Sequence, residues 1–366
     1  MKKILIMILA LAMVVMAFAA CAPAAVEEPD VPHDVDDTDA DDMDDAPGYY
    51  SVIAKGFQHQ FWQVVKAGAE QAAIDLGVEI FFTGPEGESA QAAQVDMLNA
   101  ELAKNPKAIA LAALNTEAVL SQLQDAADKG IPVIGFDSGV PNAPAGQIAA
   151  NASTDNENAG ALAATKMYEA ISAQTDAATA DSKVVISVFS QDATSASVSG
   201  RSIGFAQKML ELVGANGAIT GDMSSLSTGD ADAASVIIEV TVGATPDITD
   251  MTNAANGLLN TENLIGVFCS NEGAVNGLLA AINAGSVLPE GVKAVGFDAG
   301  AGQKAAVASG VFMGSITQDP FRIGYLAVEL AVKAANGEVV ADVDTGAKWY
   351  DASNMDDPDI AQLLYD

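Results

Sequence analysis

The sequence predicts an α/β protein built from parallel sheets, and three observations carry that prediction. Short apolar strands alternate with helical segments from residue 49 to residue 350, as βαβ units do. A polar run over residues 173–182 breaks the alternation near the middle, which favours two doubly wound lobes over a single barrel. Two strands end in the same triplet, Gly135-Phe136-Asp137 and Gly296-Phe297-Asp298, which hints at an internal duplication with one copy per lobe.

In the first half, strands are predicted over residues 49–54, 78–82, 108–114, 133–137 and 148–151. The helices between them cover 61–76, 89–104 and 117–128, and a fourth, entered through Asp155-Asn156, covers 158–172. In the second half the strands are 183–190, 218–223, 264–270, 292–298 and 313–318, with a short one near 347–350. Helices are expected over 198–213, 231–242, 272–284, 301–309 and 321–335.

The stretch from Val52 to Leu76 is the richest in function. An apolar strand ends in Lys55-Gly56-Phe57-Gln58-His59-Gln60-Phe61-Trp62, and a helix leaves that turn. Phe61, Val64, Val65, Gly68, Ala69, Ala72, Ala73 and Leu76 recur at i, i+3 and i+4, while Gln63, Lys66, Glu70 and Asp75 take the other face. Phe61 and Trp62 therefore lie beyond the carboxyl end of the first strand, where ligands bind in open α/β sheets. Glutamine, histidine and two aromatic rings suit a hydroxylated ring, with flat faces for its C–H surface and polar edges for its hydroxyls. The plainer reading, in which the two rings only plug the sheet edge, stands beside it.

Polar residues gather at other strand ends too: Asp137 with Ser138, Asn271 with Glu272, Asp298, and Gln318 with Asp319. A carboxylate there can accept two hydroxyl hydrogen bonds at once, which is how acidic side chains grip sugars. Either aspartate alone could equally cap the next helix. Arg201 sits in Ser199-Gly200-Arg201-Ser202-Ile203-Gly204-Phe205, near a predicted helix start, where the helix dipole disfavours a cation. A ligand or a buried salt-bridge partner is expected for it.

The totals narrow the classes. The chain has 366 residues, half of them apolar, which is ample for two buried cores. A net charge of −33 argues against nucleic acid as a partner. Two cysteines, Cys21 and Cys269, exclude a disulfide framework, and two histidines, His33 and His59, leave no histidine-based zinc site; no cofactor or metal is read from the sequence. Residues 1–20 read as a signal peptide: Met1-Lys2-Lys3 is basic, and the apolar run over 4–18 is short for a membrane span. Ala19-Ala20-Cys21 is similar to the bacterial lipoprotein processing site, at which the cysteine takes the lipid, although Phe18 departs from the usual aliphatic residue. An ordinary signal peptide is the other reading. Residues 21–48 carry eleven Asp and Glu and no Lys or Arg, so self-repulsion predicts a disordered acidic tether rather than a calcium loop.

Taken in order, these motifs resemble the ribose-type, or class I, sugar-binding proteins that feed ABC transporters. The resemblance covers nearly all of residues 49–366. It rests on the strand, turn, aromatic pair and helix from Phe57 to Gly68, on Ile131-Pro132-Val133-Ile134-Gly135-Phe136-Asp137, on Thr154-Asp155-Asn156 and on Arg201-x-x-Gly204-Phe205. Asn271-Glu272-Gly273-Ala274, Val295-Gly296-Phe297-Asp298 and Ile316-Thr317-Gln318-Asp319-Pro320 complete it. It implies two similar lobes joined by a three-strand hinge, the fold of type I periplasmic binding proteins. One lobe would be 49–153 plus 319–346 and the other 154–318 plus 347–366, with crossovers near 153–154, 318–319 and 345–348.

The resemblance also implies roles. His59 falls where the family offers an amide to sugar hydroxyls, and Phe61 and Trp62 fall on its aromatic pair. Asp137 falls on the first-lobe carboxylate, and Arg201 on the arginine that contacts ring and hydroxyl oxygens. Asn271, Asp298 and Gln318 match the second-lobe polar set, and Thr154 a hinge position. Ser138 stands where ribose binders often carry a second arginine, and Ala112 where they carry asparagine. A less polar, roomier first-lobe side is therefore expected, and a ligand other than ribose. His59 in an amide position predicts weak pH dependence. The implied partners are a monosaccharide or polyol and the permease and ATPase subunits of an importer. The implied state is a monomer held outside the cell membrane through a lipid anchor on Cys21.

Two rival classes remain at this point. A sensor subunit that presents ligand to a membrane receptor fits the same residues. A secreted glycoside-acting enzyme would use Asp137 and Asp298 as paired carboxylates. No P-loop or His-Glu-x-x-His supports catalysis. Gly300-Ala301-Gly302-Gln303-Lys304-Ala305 imitates a dinucleotide fingerprint but comes late in the chain.

Overall fold

Runs of Val, Ile and Ala four to seven residues long become strands because they are buried on both faces, between helices that bury one face each. The computed structural model describes residues 48–365; the predicted signal peptide, Cys21 and the acidic segment to residue 47 lie outside the described residues. The chain runs through β1 (Tyr50–Ile53), α1 (Gln60–Leu76), β2 (Ile80–Thr83), α2 (Gln91–Lys104), β3 (Ala108–Leu111), α3 (Leu120–Asp128), β4 (Val133–Phe136) and β5 (Ala150–Ser153). It continues through α4 (Asn156–Ala177), β6 (Val184–Ser190), α5 (Ala196–Val213), β7 (Gly217–Gly221), β8 (Val236–Val242), α6 (Ile248–Leu259), β9 (Leu264–Cys269) and α7 (Glu272–Asn283). The last elements are β10 (Lys293–Phe297), α8 (Ala301–Ala308), β11 (Gly314–Thr317), α9 (Pro320–Ala335), β12 (Val343–Asp344), β13 (Lys348–Tyr350) and α10 (Pro358–Ala361).

Two sheets result. One is six-stranded and parallel, in the order β12-β5-β4-β3-β1-β2. The other is seven-stranded, in the order β13-β11-β10-β9-β6-β8-β7, and parallel except for β13, which runs against β11. The chain passes between them three times. After β5 it enters α4, which packs on β9, β10 and β11; after β11 it enters α9, which packs on β1, β3, β4 and β5; after β12 it enters β13. In each sheet the strand order reverses once, between β1 and β3 and between β6 and β9, and the carboxyl ends flanking such reversals are where doubly wound folds bind ligands.

Glycine sets the closest helix contacts. A Cβ on Gly68 of α1 would collide with the Phe321 carbonyl of α9, and one on Gly324 of α9 with the Val65 carbonyl of α1. In the second lobe Gly160 of α4 and Gly204 of α5 meet the carbonyls of Arg201 and Glu157 in the same reciprocal way.

Three predicted elements are corrected. The helix expected over 231–242 is strand β8, whose Val236-Ile237-Ile238-Glu239-Val240-Thr241-Val242 is β-branched at six of seven positions. The alanines just before it carry the helical signal, but tertiary pairing between β6 and β7 decides. Helix α6 falls where no element is predicted, with Met251, Ala255, Leu258 and Leu259 on its buried face. Helix α4, expected to end at 172, runs on to Ala177 through half of the polar run, with Ile171 and Thr175 buried.

Candidate ligand-binding cleft

Strand ends from both sheets meet around one space. From the first sheet come Lys55, His59, Phe61 and Trp62 after β1, Glu88 after β2 and Asp137 after β4. From the second come Val198 and Arg201 on α5, Asn271 and Glu272 after β9, Asp298 after β10 and Gln318 after β11. The space measures about 20 Å³, room for about one water molecule.

The two Gly-Phe-Asp triplets end β4 and β10 alike. Asp137 and Asp298 both take left-handed backbone, with φ of 52° and 79°, a conformation few non-glycine residues adopt. Each backbone N–H donates to a neighbouring strand, Asp137 to the Ala152 carbonyl (3.0 Å) and Asp298 to that of Ile316 (2.7 Å). A serine hydroxyl donates to each aspartate's own carbonyl, Ser153 to Asp137 (2.5 Å) and Ser315 to Asp298 (3.1 Å). Holding a non-glycine residue so costs about 1–3 kcal/mol; the matching brackets around both aspartates support it and turn both carboxylates into the cleft.

Arg201 lies between them. Its Nη2 is 3.8 Å from Asp137 Oδ1, and its Nη1 is 3.8 Å from Asp298 Oδ2. Asn156 accepts from its Nε at 2.8 Å, and the guanidinium sits 3.9 Å over the Phe297 ring. Buried partners thus explain a cation in the second turn of α5. Across the cleft Lys55 Nζ is 3.1 Å from Asp137 Oδ2, also reaches Ser197 Oγ at 3.1 Å, and lies over the Trp62 ring. Phe61 and Trp62 pack edge to face, with centroids 5.0 Å apart. Trp62 Nε1 donates to Glu88 Oε1 at 2.8 Å, and Gln191 Nε2 donates to Glu88 Oε2 at 2.7 Å.

These surroundings set the charges. Burial would raise the Glu88 carboxyl, but Lys55, His59 and the bonds from Trp62 and Gln191 hold it below the usual carboxylate range. Burial would lower the Lys55 ammonium, yet Asp137, Glu88 and Asp192 raise it above its ordinary value. Burial pushes up the carboxyls of Asp298 and Glu272, despite Arg201 beside the first and His59 beside the second.

The lobes also cap each other's helices. Glu272, at the start of α7, accepts from the backbone N–H groups of Gln60 (3.2 Å) and Phe61 (3.3 Å), orphan donors at the start of α1. In return Gln60 Oε1 accepts from the Ala301 N–H, the first of α8, at 2.8 Å. Asp298 Oδ2 accepts from the Glu272 N–H at 3.0 Å, and Gln318 Nε2 donates to Asp298 Oδ1 at 2.7 Å. Asn271 caps α7 through Ala274 N (3.0 Å).

Eight residues singled out in the sequence line this space: His59, Phe61, Trp62, Asp137, Arg201, Asn271, Asp298 and Gln318. Ser138 and Thr154 do not. Ser138 Oγ lies behind the wall and accepts from the Ser197 N–H at 3.3 Å. Thr154 Oγ1 bonds to Thr345 Oγ1 (3.4 Å) and donates to the Gly346 carbonyl (3.3 Å), tying two of the passages between lobes together. Sequence reasoning missed Lys55, Glu88 and Val198 as cleft residues, and placed Glu272 at a strand end without a role of its own. A lysine directly after an apolar strand was the available signal for Lys55; nothing local marks Glu88. The expectation of a less polar first-lobe side fails, because Lys55 and Glu88 are both charged and both line it.

Comparison with known proteins follows the same lines. A family model described as a periplasmic binding protein domain matches residues 50–338. The D-allose-binding periplasmic protein of Escherichia coli is 24% identical over 316 residues, which is 83% of this chain and 90% of that protein. A structure described as an ABC transporter, LacI family transcriptional regulator from Brachyspira murdochii is 41% identical, with a TM-score of 0.72 over 87% of this chain and 99% of its own. A carbohydrate transporter solute-binding protein from Agrobacterium radiobacter in complex with D-arabinose is 28% identical, with a TM-score of 0.72 over 87% of this chain and 99% of its own.

Proposed function

The chain belongs to the periplasmic binding protein domain family, in its ribose-type class, and from that premise we propose that it captures a monosaccharide or related polyol between its lobes and delivers it to an ABC importer. One observation carries the reading: an aromatic pair and two carboxylates astride an arginine, drawn from both sheets, face one cleft. Relatives described with D-allose and D-arabinose support a sugar of that class. Phe61 or Trp62 covers a C–H face of the ring, Asp137 and Asp298 accept hydroxyl hydrogen bonds, and Arg201, Asn271, Gln318 and His59 supply further polar contacts. Lys55, Glu88 and Glu272 join that set.

A sugar ring needs far more than 20 Å³, so the lobes part to admit it and close around it. The hinge is the three passages near Thr154, Asp319 and Thr345, which divide the chain into lobes of 49–153 plus 319–346 and 154–318 plus 347–366. The protein acts outside the cytoplasm, held to the membrane through a lipid on Cys21, and substitution of Cys21 by alanine releases it in soluble form. Retention of that variant in the membrane fraction would remove the anchor. The function is tested by a thermal-shift screen of pentoses, hexoses and polyols, followed by calorimetry on each hit. Absence of any carbohydrate that binds with one-to-one stoichiometry refutes it.

A further inference from the structure

A second, larger cavity opens beside the first. It measures about 690 Å³, and the two share the His59 side chain. They are also walled by alternate residues of the same segments: Glu88 faces the inner space while Gly87 and Ser89 face the outer one, and Glu272 faces inward while Gly273 and Asn276 face outward. His59 is therefore the partition between them. It is 7% exposed, and among the described residues neither ring nitrogen has a hydrogen-bond partner, the Glu88 carboxylate lying 3.9 Å from Nε2. Leaving both unpaired is costly for a buried imidazole, so the ring points to a ligand atom that passes it.

The outer walls alternate C–H surface from Ala90, Pro246 and Ile248 with the polar groups of Ser89, Asp247 and Asn276. Ser89 Oγ donates to Asp247 Oδ1 at 3.0 Å across the cavity, from one lobe to the other. Glu86 and Asp247 are charged residues of this lining, and among the described residues no lysine or arginine lines it beside them. Such a wall accepts hydroxyl hydrogen bonds and repels anions.

We propose that the outer cavity is a second sugar subsite, so that the cleft takes a neutral disaccharide as well as the monosaccharide of the reading above. Its inner unit occupies the space among Trp62, Asp137, Arg201 and Asp298, its glycosidic oxygen passes His59, and its outer unit lies between Ser89 and Ile248. This rests on the sugar-capture reading above and extends it.

The test is calorimetry on the full chain with D-glucose, D-galactose, maltose, cellobiose, lactose and melibiose. At least one disaccharide binds at least about tenfold more tightly than its own component monosaccharides, the equivalent of about 1.4 kcal/mol. Ile248→Trp fills the cavity from a position that is 53% exposed; it removes that gain and leaves monosaccharide affinity unchanged. Asn276→Trp blocks the same space from α7 and gives the same result should Ile248→Trp fold poorly. Monosaccharides that bind as tightly as their disaccharides overturn the subsite while the sugar-capture reading stands. So does a disaccharide gain that survives both tryptophans. Failure of all six sugars to bind, with a non-carbohydrate solute binding instead, overturns both.

Discussion

Lys55 Nζ lies 3.1 Å from Asp137 Oδ2, with the two side chains 4% and 3% exposed. Removing one member of such a buried pair strands the other's charge in a medium that solvates it poorly. Lys55→Met therefore destabilises the protein by about 3 kcal/mol in urea unfolding. Replacing Asp137 by asparagine in the same chain recovers part of that loss, because the stranded carboxylate is gone and the new residue tolerates φ of 52°. A single-variant loss below about 1 kcal/mol would mean that the pair behaves as an exposed one.

Under the proposed function Asp298 and Arg201 contact the ligand, and each is also part of the frame. Asp298→Asn keeps a residue that tolerates φ of 79°; it folds and loses sugar binding in calorimetry. Arg201→Ala loses binding too, but it also removes the shared partner of Asp137 and Asp298 and costs about 3 kcal/mol of stability. The ring contact with Phe297 and the bond to Asn156 add to that cost. Unchanged affinity in both variants sinks the assignment.

The acids of the cleft pull stability in opposite directions with pH. Glu88 is held below the usual carboxylate range, so its contribution is full above that range and is lost as pH falls through its lowered folded value. Asp298 and Glu272 are raised, so they favour the folded state at low pH and weaken it as pH rises from the usual range through their raised values. Comparing wild type with Glu88→Gln isolates the first effect. The gap in Tm is widest near about pH 7 and narrows toward about pH 3. A gap of constant size across that range contradicts the charge argument.

Glycine packing gives a contrast within one protein. Gly324→Ala drives a methyl group into the Val65 carbonyl and destabilises by about 1–3 kcal/mol. Gly257→Ala, inside α6 with nothing near its would-be Cβ, stabilises by about 0.5–1 kcal/mol. Urea titration of both variants checks the pair; equal effects would contradict the close α1–α9 contact.

Cross-lobe capping predicts an effect on shape. Glu272→Ala strips the Gln60 and Phe61 N–H groups of their acceptor and removes one attraction between lobes. The radius of gyration from small-angle X-ray scattering rises relative to wild type. An unaltered scattering curve means that the caps do not hold the lobes together.

Much of the fold is legible in the sequence because its signals are local. Apolar spacing of three and four residues specifies α1 from Phe61 to Leu76, and the strand-to-loop boundaries after β1, β4, β9, β10 and β11 put polar side chains at carboxyl ends, where doubly wound sheets bind ligands. Local signals also mislead: the alanines before Val236 read as helix, while the segment that follows is a strand because β6 and β7 flank it.

The sequence by itself determined the alternation of strands and helices, the division into two lobes and eight of the residues that line the cleft. Tertiary structure alone decided that Lys55 and Glu88 join them and that Ser138 and Thr154 do not. It alone decided that Glu272 caps a helix of the opposite lobe. The reason is one of range: periodicity is a property of neighbouring residues, whereas a buried charge finds its partner in whichever strand end the fold brings within about 4 Å, and no local pattern encodes that meeting.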